Sequence, residues 1–394
     1  MSGNAQALEQ ARQLLRQGRF SEAERFFATV LESEPDHVEA LNVMGLAAIR
    51  TGDLPGAVQK LERVVTLVPD EHAARLYLAL ALERSGDRHR AILQYARALN
   101  DAQLRGRWLD ASSTPPALRP LVERAVAAVR AGRRATFMRV LEPLAQRYGR
   151  SELARVEQCL RIYLQEEEPV ITDARQQPTF LFFPGLGAAP YLDRSLFDWI
   201  PALEADTEAI RAELLRLLPE SAGRERVFDS EALEQVHLRG LDVPPSWTGY
   251  YFYRHGVRRQ DNCASCPATA RALDRLPLVH VRDHGPEVLF SVFTPGTHLL
   301  PHRGVTNTRL VGHLPLIVPE NCALNVGGEI HEWQPGRVVV FDDTYEHEAW
   351  NRSRQTRVVM IFDVWHPRLT EVERLAVTDL VGAIGDFRKA MEAA

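Results

Sequence analysis

PGTHLLPHRGVTNTRLVGH (295–313) and FDDTYEHEAWNRSRQTRVVMIFDVWHP (341–367) decide the reading of this chain. In the first stretch His302 follows a Pro/Gly-rich bend and precedes Thr308–Val318, a run dominated by apolar and β-branched residues. In the second, His347 follows the strand-like Arg337-Val-Val-Val-Phe341 and precedes a turn at Asn351-Arg352-Ser353, after which Thr356–Asp363 again has strand composition. Each histidine is therefore expected at a strand edge. Neutral imidazole suits iron, and two such ligands on separate strands of a β-barrel leave coordination positions for O₂ and a co-substrate. His298 and His302 are spaced i, i+4, but Pro295, Gly296 and Pro301 disfavour a helix there. On an extended chain the two lie about 13 Å apart, too far to share one metal, so His298 is expected to be structural or to hydrogen-bond a group that contacts the metal. Asp342 and Asp343 sit in what reads as a turn and are expected to order the approach to His347, with a bond to a metal-bound water as the alternative.

The wider pattern is S-x-x-x-P-G-T-H at Ser291–His298, P-H-x-G-x-T-N at Pro301–Asn307, F-D-D-x-x-E-H-E-x-W at Phe341–Trp350, Arg357, and D-V-W-H-P at Asp363–Pro367. In these motifs the chain resembles the aspartyl/asparaginyl β-hydroxylase family of Fe(II)- and 2-oxoglutarate-dependent oxygenases. Weaker matches at Phe182–Leu186 and Asn262–Thr269 extend the resemblance over roughly residues 176–394. It implies a double-stranded β-helix (jelly-roll, cupin-like) catalytic domain. His302 and His347 would be the iron ligands, and Arg357 would pair with the distal carboxylate of 2-oxoglutarate, supported by Ser291. His313 would bind near the other carboxylate. Many non-haem oxygenases read H-x-[DE]…H; here Gly304 stands two positions after His302, an absence the resembled family shares and fills with water. Some members read R-x-R-x-H where this chain reads Arg309-Leu-Val311-Gly-His313. Val311 cannot meet a carboxylate electrostatically, so co-substrate binding is expected to rest on Arg357 and His313, with Arg309 a candidate to compensate.

A shift of 34 aligns the N-terminal part with itself, superposing Gly18, Gly52 and Gly86; Ala23, Ala57 and Ala91; Ala11, Gly45 and Ala79; and Pro35 with Pro69. That is the tetratricopeptide (TPR) period, with small residues where paired helices touch and glycine at the turn. Three repeats over about residues 4–103 are expected to stack into an all-α solenoid with a groove for a protein or peptide partner, or one that packs within the molecule or dimerises. Beyond Pro115-Pro116, Leu118, Leu121, Val122, Val126 and Val129 recur at helical spacing. Residues 165–177 read as a linker, Thr179–Phe183 as a strand and Trp199–Leu218 as a helix. The expected organisation is α+β and multidomain: repeats in 1–110, a helical extension and linker in 111–175, and the catalytic domain in 176–394. Residues 219–249 carry no readable motif.

At 394 residues, with 25% charged and 45% hydrophobic residues, the composition is ordinary for a soluble multidomain protein, and a net charge of −5 gives no reason to expect a nucleic-acid surface. No window reaches the apolar length of a membrane span and the N-terminus has no signal-peptide core, so a cytoplasmic location is expected. The four cysteines form no disulfide framework; Cys263 and Cys266, the CxxC pair, are expected to be plain thiols rather than a zinc or redox site. The functions that fit are hydroxylation of the β-carbon of Asp or Asn in a polypeptide recruited by the repeats, hydroxylation of a small molecule or lipid acyl chain, or a TPR scaffold with a silent barrel.

Overall fold

The structure, a computed structural model, describes residues 3–218, 223–228, 230–240 and 244–394. Residues 219–222, 229 and 241–243 of the motif-free 219–249 segment lie outside the described residues. The chain divides into two compact units, Met1–Phe137 with Ala383–Ala394, and Met138–Gly382. This division falls inside the helix Arg119–Tyr148.

The first unit is a stack of antiparallel helix pairs: α1 (Gly3–Arg16) with α2 (Phe20–Ser33), α3 (Val38–Thr51) with α4 (Leu54–Leu67), and α5 (His72–Arg84) with α6 (Arg88–Gln103). Gly18, Gly52 and Gly86 all have positive φ, from 72° to 92°, at the turn inside each pair, a conformation that costs residues with a Cβ more than glycine. Gly45 packs so closely on α4 that a Cβ there would come within 2.7 Å of Leu61 Cγ. Ala11, Ala23, Ala57, Ala79 and Ala91 are buried in the same helix contacts. Next comes α7 (Arg119–Tyr148), which continues across the division. Val126 on it is 40% exposed, not on the packed face, because Val122 and Ala125 take the buried positions. In residues 383–394, Phe387 meets Phe137 edge-on, and the Ala394 carbonyl accepts from Arg75 Nη1 (3.0 Å) and Gln94 Nε2 (3.1 Å).

The second unit contains α8 (Ala154–Tyr163), α9 (Ile200–Ala205), α10 (Thr207–Leu217), β1 (Glu225–Arg226), α11 (Glu231–His237), β2 (Leu238–Arg239), β3 (Trp247–Arg254), β4 (Val257–Arg258), α12 (Gln260–Ser265) and α13 (Pro267–Leu273). There follow β5 (Val288–Phe293), β6 (His298–His302), β7 (Arg309–Ile317), β8 (Cys322–Val326), β9 (Glu329–Glu332), β10 (Val339–Phe341), β11 (His347–Asn351), β12 (Arg357–Trp365) and α14 (Glu371–Ala393), whose last turns belong to the first unit. The expected helix over 199–218 is thus two, meeting at Asp206. The expected strand over 179–183 shrinks to one bridge, Leu181 to Thr306. Pro178 and Pro184 bracket it and have no N–H to extend a ladder.

The strands form two antiparallel sheets, ordered β1-β3-β5-β12-β7-β10 (with β4 beside β3) and β2-β6-β11-β8-β9. Side-chain alternation sorts the larger sheet into two faces. Phe290, Leu310, Leu314, Leu316, Val358, Met360 and Phe362 join a core with Ile200, Leu203, Ile210, Leu214, Ala272 and Leu273 from the covering helices. The opposite face supplies Phe293, Val311, Val339, Phe341 and Val359 to a second core with Leu238, Leu299, Leu324, Val326 and Ala349 of the smaller sheet. The two sheets therefore pack face to face, and side chains at Ser291, Arg309, His313 and Arg357 share the inner face by the same alternation.

Candidate active site

His302 ends β6 and His347 begins β11, and in the antiparallel ladder they are direct cross-strand partners. Their ring centroids are 4.1 Å apart. Each ring is anchored by Nδ1 to a main-chain carbonyl two residues back, Leu300 at 2.8 Å and Tyr345 at 3.1 Å. A carbonyl only accepts, so Nδ1 carries the proton and Nε2 keeps its lone pair. Burial pulls both imidazoles down to about 4, helped at His302 by His347, so both are neutral at physiological pH. Two neutral imidazoles with free Nε2 atoms on facing residues are a donor set that fits a divalent transition metal. Among the described residues no group of three His, Cys, Asp or Glu side chains is gathered for one. The four cysteines are free and buried.

Gly304 has a steric reason to be glycine. A Cβ built on it would lie 2.1–2.3 Å from the carboxylate atoms of Asp343. The space beside His302 that a side chain at 304 would enter is filled by a carboxylate from the other strand connection. Asp343 is buried, and its Oδ1 has no hydrogen-bond partner. Burial raises its pKa against the pull of Arg309. Asp342, in contrast, orders the turn as expected: it accepts from Thr344 N and Oγ1 and from Gln176 Nε2.

Arg309 is paired with carboxylates of the chain itself. Its Nη1 donates to Asp363 (3.2 Å) and its Nη2 to Asp343, so the guanidinium is held between two carboxylates. Burial alone would lower its pKa, but the two carboxylates overcome this and it lies above the ordinary arginine value. Its charge, considered in the sequence as a candidate to compensate for Val311, is matched within the chain. His298, on the same strand as His302, bonds Glu348 at 2.7 Å instead and stands apart from the His302–His347 pair.

Arg357, at the start of β12, has the opposite surroundings. It is 1% exposed, and its Cζ lies 4.0 Å from the ring centroid of Phe293 and 4.4 Å from that of Trp333. Its Nη1 donates to Ser291 Oγ at 3.3 Å, and its Nε has no partner. Among the described residues no carboxylate is paired with it, and burial pulls its pKa down to about 9. His313 is also buried, with Nδ1 unpartnered, 5.7 Å from the Trp333 ring and 5.0 Å from that of Phe341, which in turn lies 5.6 Å from His347. Burial and the Arg357 charge push His313 well below the usual imidazole range. Phe293 and Trp333, which flank the guanidinium, carry no local motif; they reach it by strand pairing and sheet packing.

The aspartyl/asparaginyl beta-hydroxylase family profile matches residues 204–367, and a tetratricopeptide profile matches 8–72 and 44–104. Aspartate beta-hydroxylase domain-containing protein 2 of Mus musculus is 31% identical over 251 residues, 62% of this chain and 70% of that protein. The chain belongs to the aspartyl/asparaginyl β-hydroxylase family. Ornithine lipid ester-linked acyl 2-hydroxylase of Rhizobium tropici is similar at 35% identity over 190 residues, covering 48% of this chain and 64% of that protein. Aspartyl/asparaginyl beta-hydroxylase of Homo sapiens is similar at 32% over 194 residues, covering 48% and 24%. As a family member the chain thus spans less than two thirds of either of these last two relatives. No helix among its described residues is long and apolar enough to cross a membrane.

Proposed function

We propose that the chain is an Fe(II)- and 2-oxoglutarate-dependent hydroxylase, with the two packed antiparallel sheets forming a double-stranded β-helix of jelly-roll type. The observation that carries this reading is Arg357: a buried cation with aromatic faces and a hydroxyl about it, no paired carboxylate, and two neutral metal-type histidines in the same inter-sheet space. Burying an unpaired charge is costly, and such a site is completed by an anionic ligand. His302 and His347 would hold the iron through Nε2. When bound, the iron would let O₂ act as the oxidant, with one oxygen atom going to 2-oxoglutarate as it loses CO₂ to become succinate and the other to an unactivated C–H bond. Arg357 and Ser291 would hold the distal carboxylate, and neutral His313 would lie toward the other end of the co-substrate. Phe293, Trp333 and Phe341 exclude water from this space, which strengthens every charge-assisted bond inside it. Asp343, whose buried Oδ1 has no hydrogen-bond partner, would accept a hydrogen bond from a water completing the coordination.

The substrate we favour is an Asp or Asn residue of a polypeptide recruited by the TPR repeats in a cytoplasmic setting, which the free, buried cysteines support. A cleft of about 440 Å³ adjoins His347 and carries Arg175, Arg303, Glu346 and Glu348, chemistry suited to a polar chain. A second reading, hydroxylation of an acyl chain, is favoured by Val311 on the inner face and by the likeness to the ornithine-lipid enzyme. The test is succinate release from 2-oxoglutarate by the iron-loaded protein. His302→Ala and His347→Ala are each expected to abolish it and to lose metal while keeping the fold; full activity in either variant contradicts the assignment.

A further inference from the structure

Trp247 opens β3, in a segment where the sequence shows no motif. The ladders place it opposite Phe293 of β5, and Phe293 opposite Arg357 of β12, so the three stand abreast on the inner face. One step along, Ser291 is completely buried. Its Oγ accepts the indole N–H of Trp247 at 2.9 Å as well as Nη1–H of Arg357 at 3.3 Å. A hydroxyl has two lone pairs and one proton. Both lone pairs are taken, so the proton must point elsewhere, and among the described residues no acceptor is bonded to it.

We infer that Trp247 is a positioning residue for the anion site: its indole N–H compels the Ser291 hydroxyl to act as a donor. Without that N–H the hydroxyl could turn its proton away and present a lone pair to the incoming carboxylate, which would repel it. With it, Ser291 and Arg357 present two aligned donors, a pattern that selects a carboxylate over a neutral carbonyl. The ligand class is a 2-oxo acid bearing a second, distal carboxylate. Trp247 is itself held by edge-on packing against Phe293, at 5.5 Å between centroids, and against Phe228, also at 5.5 Å. Phenylalanine at 247 would keep that packing and remove only the donor.

This inference rests on the reading of Arg357 as the holder of the distal carboxylate, and the test separates the two. Binding of 2-oxoglutarate and of pyruvate, which lacks the distal carboxylate, is measured calorimetrically on the Mn(II)-loaded full chain for wild type, Trp247→Phe, Ser291→Ala and the double variant. Trp247→Phe is expected to weaken 2-oxoglutarate by about three- to tenfold and leave pyruvate and Mn(II) affinity unchanged. In the Ser291→Ala background the same substitution is expected to have no further effect, since the hydroxyl it orients is gone. Wild-type-like binding of 2-oxoglutarate by Trp247→Phe overturns the inference. So does equal weakening of both ligands, or additive losses in the double variant, because either marks general loosening of the pocket. Failure of the wild type to bind 2-oxoglutarate overturns the functional reading, and this inference with it.

Discussion

Arg309 and Arg357 lie on the same inner face of one sheet, both largely withdrawn from water, and their charges are treated in opposite ways. Arg309 is clamped between Asp343 and Asp363 and its proton is held more tightly than in water. Arg357 is enclosed by Phe293, Trp333 and Ser291, and its proton is held less tightly. A buried charge that finds its counter-charges in the chain is part of the architecture. One that finds none among the described residues is what leads us to propose a ligand there. Arg309 ties β7 to the Asp343 connection and to β12.

The largest effect that sharpens this contrast is expected at Arg309. Arg309→Met leaves two buried carboxylates without their cation, and chemical denaturation is expected to show a loss of about 3–5 kcal/mol. Arg357→Met removes a charge that has no partner to strand, so stability is expected to stay within about 1 kcal/mol of wild type. The same variant is expected to lose about 1.5–3 kcal/mol of 2-oxoglutarate binding, read by calorimetry. If both variants destabilise equally, the two arginines are not different in kind and the comparison fails.

The smallest effect is one of slope. Glu287 donates its main-chain N–H to Asp363, and burial, with Asp363 adding, raises its own carboxyl to about 7 against the His255 N–H. The folded state therefore holds this proton where the unfolded chain has released it. Its contribution to stability is complete below about pH 4.5 and is lost as pH rises through about 7. Glu287→Gln is expected to flatten that decline in a series of denaturation curves between pH 5 and 8. His366 works with the opposite sign. Burial draws it down to about 4, so its contribution is present above about 6.5 and is lost as pH falls toward 4.

Much of this was legible in the chain. The 34-residue repeat located the turn glycines, and the composition around His302 and His347 located strand edges that the ladder then sets opposite each other. Local pattern reaches only along one strand. That Asp343 fills the space above Gly304, that Asp363 and Asp343 share Arg309, and that Trp247 points its N–H at Ser291 are facts of pairing between segments far apart in sequence. No periodicity encodes them. The Thr179–Phe183 segment shows the converse failure: strand composition flanked by Pro178 and Pro184, which have no N–H, gives a single bridge.

The most direct test of the account is an anaerobic visible titration of the iron-loaded chain with 2-oxoglutarate, in wild type and in Arg357→Met. The account requires a metal-to-ligand charge-transfer band in the wild type that decays on exposure to O₂ as succinate forms, and the same band in the variant only at higher 2-oxoglutarate. A folded wild-type protein that binds iron yet develops no band, or a variant that develops it at the same concentration, would contradict the claim that the unpaired arginine is the co-substrate's anchor.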